Sequence, residues 1–258
     1  MKNIVSICVF LLIGTAVQAQ YWIGPKVGFH RVDHVYQDPE YKADTFKIIP
    51  NYNFQAGAVL TYTATEMFGF HSEIVYERIG RRVTNRDITP AYSKSVNNFI
   101  SIPLQLRVSF FQRPFHVYLN GGPKISYWMG GNGRIELDEF LDDSVDPIDY
   151  NIKFGSVDEG AENQLAIVEP NRIQYALTAG GGIYIDLAIG GRLELDFRYS
   201  FGHSNMGKNG NPDFIFSEYY ENFRHRNNML SVSVAYMLEY DAQLKRRGQS
   251  TNKLSNKK

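Results

Sequence analysis

Cysteine is all but missing: the 258-residue chain holds Cys8 alone. Because Cys8 falls inside an N-terminal apolar stretch, the rest of the chain offers no disulfide, no reactive thiol and no cysteine metal site. Beyond that stretch no apolar run reaches about 18 residues, which excludes helical membrane spans. Neither G-x-S-x-G nor H-E-x-x-H occurs, so the local signatures of a hydrolase nucleophile elbow and of a zinc peptidase are absent. An excess of one charge is lacking as well, since 27 Lys and Arg face 27 Asp and Glu. Any electrostatic function must therefore come from local clustering.

What the chain does have is a leader and a period. Lys2 precedes an apolar stretch at 4–17, and Val17-Gln18-Ala19 places small residues before a cut. This pattern predicts a secretory signal over 1–19, with Gln20 as the first mature residue. An uncleaved anchor would need about 20 apolar residues, more than the stretch supplies. No cysteine follows the cut, which argues against a lipoprotein.

Past the leader, apolar residues alternate with polar or small ones. In 98–110, Ile100, Ile102, Leu104, Leu106, Val108 and Phe110 share one face, with Ser101, Gln105, Arg107 and Ser109 on the other. The run 192–201 repeats the split, with Leu193, Leu195, Phe197 and Tyr199 against Glu194, Asp196, Arg198 and Ser200. Alternation alone fits a soluble sandwich equally well. Export decides it, because an exported chain can turn its apolar face to lipid and its polar face inward. A mean hydropathy of −0.31 is compatible, since such a strand shows lipid only every second residue.

Eight strands are expected, at 21–29, 52–62, 68–78, 98–110, 115–129, 172–188, 192–201 and 229–240. Their connections alternate between tight turns at 63–67, 111–114 and 189–191 and long polar segments at 30–51, 79–97, 130–171 and 202–228. The expected fold is an all-β, eight-stranded antiparallel up-and-down transmembrane barrel over 20–240, with short periplasmic turns and long extracellular loops. Weak alternation at 134–140 and 149–154 leaves ten strands open. Glu136, Asp138, Glu139, Asp149 and Lys153 deny these pieces a lipid face, so a hairpin in the outer loop is the preferred reading. Aromatic girdles are expected from Trp22, Tyr62, Phe68, Phe110, Phe111, Tyr236 and Tyr240 on the periplasmic side and from Tyr76, Tyr127 and Tyr199 outside.

The inward positions read Lys26, Glu73, Gln105, Arg107, Lys124, Asp186, Glu194, Asp196 and Arg198. An eight-stranded barrel is only wide enough for side chains or one small ligand, so opposite charges should pair and plug it. Internal cohesion is the expected role of this network; a proton or ion path is the alternative.

Several segments together resemble a known family. Phe99-Ile-Ser-Ile-Pro-Leu-Gln-Leu-Arg107, Tyr118-Leu-Asn-Gly-Gly-Pro-Lys124, Ala179-Gly-Gly-Gly-Ile183 and Arg198-Tyr-Ser-Phe-Gly-His-Ser-Asn-Met206 look like successive strand signatures of the PorT-like outer-membrane β-barrel family of Bacteroidota. The resemblance runs over about 23–238, with His203 standing where an apolar residue is expected. It implies a small outer-membrane barrel, and its namesake branch is associated with type IX secretion and gliding. Fold alone does not assign that role.

Few residues carry chemistry. His203 with Ser204, and His71 with Ser72 and Glu73, are the local hydrolase candidates, but strand neighbours point to opposite faces. No catalytic site and no cofactor are expected. The loop 130–171 holds eleven acidic residues against Arg134 and Lys153, without the spacing of an EF-hand, and reads as a solvated loop rather than a divalent-cation site. After the last strand, 241–258 carries Lys245, Arg246, Arg247, Lys253, Lys257 and Lys258 with no apolar period, and is expected to be a disordered periplasmic tail able to meet an acidic partner or anionic headgroups. Outer-membrane lipid, lipopolysaccharide and secretion-machinery or periplasmic proteins are the partners this reading admits; nucleic acid is not. Two functions stand: an accessory envelope barrel acting through its surfaces, and a solute- or lipid-handling barrel, lipase or acyltransferase.

Overall fold

The computed structural model describes residues 20–37, 46–85, 92–111, 115–136, 147–155, 163–167, 169–207 and 223–240. The expected signal and the basic tail lie outside the described residues. Eleven strand segments follow in chain order: β1 Gln20–Tyr36, β2 Phe46–Ile49, β3 Asn51–Thr63, β4 Phe68–Asn85, β5 Tyr92–Phe111, β6 His116–Glu136, β7 Ile148–Phe154, β8 Gln164–Ile167, β9 Ile173–Asp186, β10 Arg192–Gly202 and β11 His225–Tyr240.

Eight of them close a ring in the order β1, β3, β4, β5, β6, β9, β10, β11, with every neighbouring pair antiparallel. The first and last strands seal it in register from Tyr21 opposite Tyr240 to Tyr36 opposite His225. Closure leaves no strand edge in the hydrocarbon, the condition for crossing a bilayer with strands. β2 continues the line of β3 across Pro50, pairing with the outer end of β4. β7 pairs with the outer end of β6, and β8 lies parallel to β7. The described residues of the two weakly alternating pieces, 134–136 and 149–154, thus contribute to an outer extension and add no ring strand, as the eight-strand reading requires; 137–140 lie outside the described residues.

Tight connections, both described termini and the girdle residues Tyr62, Phe68, Tyr236 and Tyr240 gather at the periplasmic end. Gly190 and Gly191, at φ +94° and +88°, let the β9–β10 turn reverse between Leu187 and Arg192, where an L side chain would be strained. Ile23, Val27, Leu60, Ile74, Leu104, Leu106, Leu119, Phe197, Leu230 and Leu238 face outward and are exposed. Trp22 is a correction: it is buried, on the inward face, with Arg192 stacked 4.0 Å from its ring, so it belongs to no girdle.

The expected strands stop short on the outer side. β1, β4, β5 and β6 run on for seven residues or so beyond their expected ends, and on β1, β4 and β6 the hydrophobic pattern inverts where lipid ends. On β4 the outward series Phe70, Ile74, Tyr76 gives way to Arg78 and Arg82, while the inward series His71, Glu73, Glu77 gives way to Ile79 and Val83. On β1 the same exchange occurs at Arg31 and Val32. On β6, Met129 is an extra residue in a bulge, since Asn98 faces Gly130 while Phe99 faces Trp128. The inward face thereby switches from even to odd positions, Trp128 and then Ile135. Outside the membrane the barrel is built like a soluble protein. Val32, Ile79, Phe99, Trp128, Ile135, Tyr150, Leu165, Met206 and Phe223 form an apolar core across its outer mouth.

Candidate functional site

The interior of the membrane-embedded section is a closed cycle of hydrogen bonds and ion pairs. Glu73 on β4 is its hub: Oε1 accepts from Lys26 Nζ at 2.7 Å, from His71 Nε2 at 2.7 Å and from Arg198 Nη2 at 2.9 Å. Arg198 also pairs with Asp196 at 3.0 Å. The Tyr118 hydroxyl sits between Asp196 and Glu194, 2.9 Å from each. Glu194 is held in a fork by Arg107, at 2.8 Å and 2.7 Å. Arg107 Nη2 then donates to His71 Nδ1 at 2.8 Å, which returns the cycle to Glu73.

Strand geometry puts these groups together. In the ring, β4 and β10 have three strands between them in either direction, so the Arg198–Glu73 bridge spans the diameter. Period two keeps Glu194, Asp196 and Arg198 on one face of β10, and His71 and Glu73 on one face of β4. Arg107 lies over the Tyr118 ring at 3.9 Å, and Asn120 adds a 3.0 Å bond to Asp196. Three cations, Lys26, Arg107 and Arg198, meet three carboxylates, Glu73, Glu194 and Asp196. All six are buried, so each charge has its counter-ion where water cannot supply one.

Toward the outer mouth lies a second layer. Lys124 donates to both oxygens of Glu77 at 2.8 Å, and Glu77 accepts from Ser101 at 2.6 Å. Between this layer and the apolar core a space of ≈30 Å³, lined in part by Lys124, Ser126, Gln174 and Asn227, has room for a water or two. Gln105 faces inward and is buried, yet neither of its amide atoms has a partner among the described residues.

Asp186 requires a correction. Its position has inward parity, but at the last residue of β9 it stands at the periplasmic mouth, 50% exposed, paired with Arg192 at 2.8 Å. It is a rim residue, apart from the network. The members not foreseen include Tyr118, whose ring reads as apolar in an alternating pattern, His71, which the sequence offered only as a hydrolase candidate, and Glu77, which stands four residues after Glu73 on the same face and was legible from that spacing.

The hydrolase candidates resolve differently. His203 donates from Nδ1 to the carbonyl of Phe201 at 3.0 Å, whereas Ser204 accepts from the Tyr175 amide at 2.8 Å, so the two do not meet. Ser72 faces away from His71 and Glu73. Thr61 does approach, its hydroxyl 2.9 Å from His71 Nδ1, giving a hydroxyl, imidazole and carboxylate in series. Arg107 occupies the same nitrogen, Lys26 and Arg198 occupy the carboxylate, and all of these groups are buried. With its base already bonded and its hydroxyl buried, this series has the arrangement of a structural bracket within the plug.

Among solved structures, the outer membrane protein OprG from Pseudomonas aeruginosa matches at 12% identity and a TM-score of 0.47, covering 87% of this chain and 98% of its own. Ail, the attachment invasion locus protein of Yersinia pestis, matches at 9% identity and 0.38, covering 84% and 98%. Neisserial surface protein A matches at 13% identity and 0.35, covering 85% and 98%. No curated protein matches in sequence. A family model for the outer membrane protein beta-barrel domain matches residues 18–206, which hold seven of the eight ring strands. The chain belongs to that outer-membrane β-barrel family.

Proposed function

We propose that this protein is a sealed, non-enzymatic accessory barrel of the outer envelope, working through its two exposed ends. The observation that carries this reading is the cycle through Glu73, Arg198, Asp196, Tyr118, Glu194, Arg107 and His71, which crosses the lumen and neutralises itself. The apolar core at the outer mouth supports it independently. A lumen occupied twice over leaves no route for solute and no room for substrate. Function then falls to the outer extension and to the tail carrying Lys245, Arg246, Arg247, Lys253, Lys257 and Lys258. The resemblance to PorT-like barrels supplies the process to test first, assembly of a type IX secretion apparatus.

Crosslinking and affinity recovery from outer membranes test the proposal, comparing the full chain with a variant that ends at Tyr240. Loss of a periplasmic or secretion-machinery protein on truncation supports it. Recovery of every partner together with full rescue of a null strain removes the tail from it.

A further inference from the structure

One concavity in the described wall faces lipid. It measures ≈300 Å³ and lies between Val27 and Phe29 of β1, Phe54 and Ala56 of β3, and Val232 and Val234 of β11, against ≈30 Å³ for the space in the lumen. Register explains it. Phe29 stands opposite Phe54 and Val232, and Val27 opposite Ala56 and Val234. The short side chain of Ala56 leaves a gap beneath the two phenyl rings.

Its upper end is cationic. The Arg78 guanidinium lies 5.5 Å from the centre of the Phe54 ring. Arg31, two residues past Phe29 on the same face of β1, stands opposite Tyr52 and is held by Asp33 at 3.0 Å. Two guanidinia against one carboxylate leave a positive surplus there. Depth follows from strand geometry. Phe29 is eight residues beyond Tyr21, which stands opposite the periplasmic girdle residues Tyr62 and Tyr240, so at ~3.3 Å per residue and a tilt of ~40° it stands ~20 Å up an apolar band of ~25 Å. The groove thus lies in the outer leaflet, and Arg31 and Arg78 lie at its headgroup boundary.

We infer that this groove is a seat for one phosphorylated, acylated lipid of the outer leaflet, an acyl chain lying beneath Phe29 and Phe54 and a phosphate meeting Arg31 and Arg78. The site depends on the chain crossing the membrane and not on whether the lumen conducts. A guanidinium offers phosphate a planar fork of donors, and such contacts strengthen where water is scarce.

Native mass spectrometry of the full-length barrel in detergent, titrated with bisphosphorylated lipid A or its dephosphorylated form, tests the assignment. Heat-modifiable migration reports folding of each variant. Wild type is expected to hold one phosphorylated lipid in preference to the dephosphorylated one. Arg78→Gln should weaken retention roughly ten-fold, the size of one lost charge-assisted contact. Ala56→Phe fills the groove and should weaken both lipids. Arg82→Gln, which removes an exposed cation farther out on β4, should change neither. Equal retention of the two lipids, or equal loss in Arg78→Gln and Arg82→Gln, overturns the seat. So does a complex of two barrels that Ala56→Phe dissociates, which would make this wall an interface between copies. Should Ala56→Phe not fold, Arg78→Gln against Arg82→Gln still decides.

Discussion

At the scale of single residues, the barrel shows how position sets the cost of a charge. Leu104 lies mid-strand on β5 and is 49% exposed to what is lipid in the membrane. Leu104→Arg is expected to cost about 2 to 4 kcal/mol near the bilayer midplane. The measurement is the urea midpoint of folding into lipid vesicles; an unchanged midpoint would falsify the lipid-facing assignment. One residue beyond Leu106, Arg107 is already a buried cation, tolerated because Glu194 grips it in a fork and His71 accepts a further N–H from it. Arg107→Ala should destabilise by about 3 to 5 kcal/mol, since it strands Glu194 without water or counter-ion. Replacing both partners by methionine should recover much of that loss. If the single and double variants are equally unstable, packing around the guanidinium, and not the stranded charge, sets the cost.

Elements divide at the membrane boundary. On β1, β4 and β6 a lower section has apolar residues outward and an upper section has apolar residues inward, β6 making the change through the bulge at Met129, whereas the upper section of β5 turns Ser93, Ser95 and Asn97 inward. Trp128 is the hinge of that arrangement: fully buried, 6.1 Å from the Phe99 ring and 4.8 Å from Phe154. Trp128→Ala should loosen the outer extension by about 3 to 5 kcal/mol, the range for deleting a buried aromatic. The ring strands below it should stay paired. Limited proteolysis is the check, with faster cleavage in the segments flanking β7 and β8 and unaltered heat-modifiable migration. A variant that loses the heat-modifiable form altogether would place Trp128 in the folding of the ring itself.

For the whole molecule, two seals in series govern permeability. The wild-type protein in planar bilayers is expected to show no porin-type steps, because the cycle around Glu73 and the apolar core around Trp128 each close the lumen. Removing the polar layer alone, as in Glu73→Ala with Arg198→Ala, should leave the bilayer silent while lowering stability. Large, reproducible steps from the wild type would overturn the sealed reading. Charge at the two ends belongs to this scale as well. An acidic loop at 130–171 and a basic tail at 241–258 have opposite sign, and attraction of this kind weakens with salt over a Debye length of about 8 Å at physiological ionic strength. Partner recovery that depends on the tail should therefore fall as salt rises.

The fold was legible wherever lipid imposes one rule on one face. Period two, the short and long connections and the leader pointed to an eight-stranded barrel, and inward Lys26, Glu73, Arg107, Lys124, Glu194, Asp196 and Arg198 were readable because a lipid-facing strand can put charge nowhere else. Asp186 obeyed the same parity and was misplaced, because parity does not record how near a residue stands to the mouth. Above the membrane, water wets the outer face and the alternation reverses, so Ile79 and Ile135 read as loop. Which charges pair was beyond the sequence: Glu73 and Arg198 are 125 residues apart and meet only because ring closure sets β4 and β10 across a common diameter. Local alternation by itself determined the face of each side chain and hence the barrel. Only closure decided the partners, the double seal and the lipid-side groove, because each is built from strands that are neighbours in space and strangers in the chain.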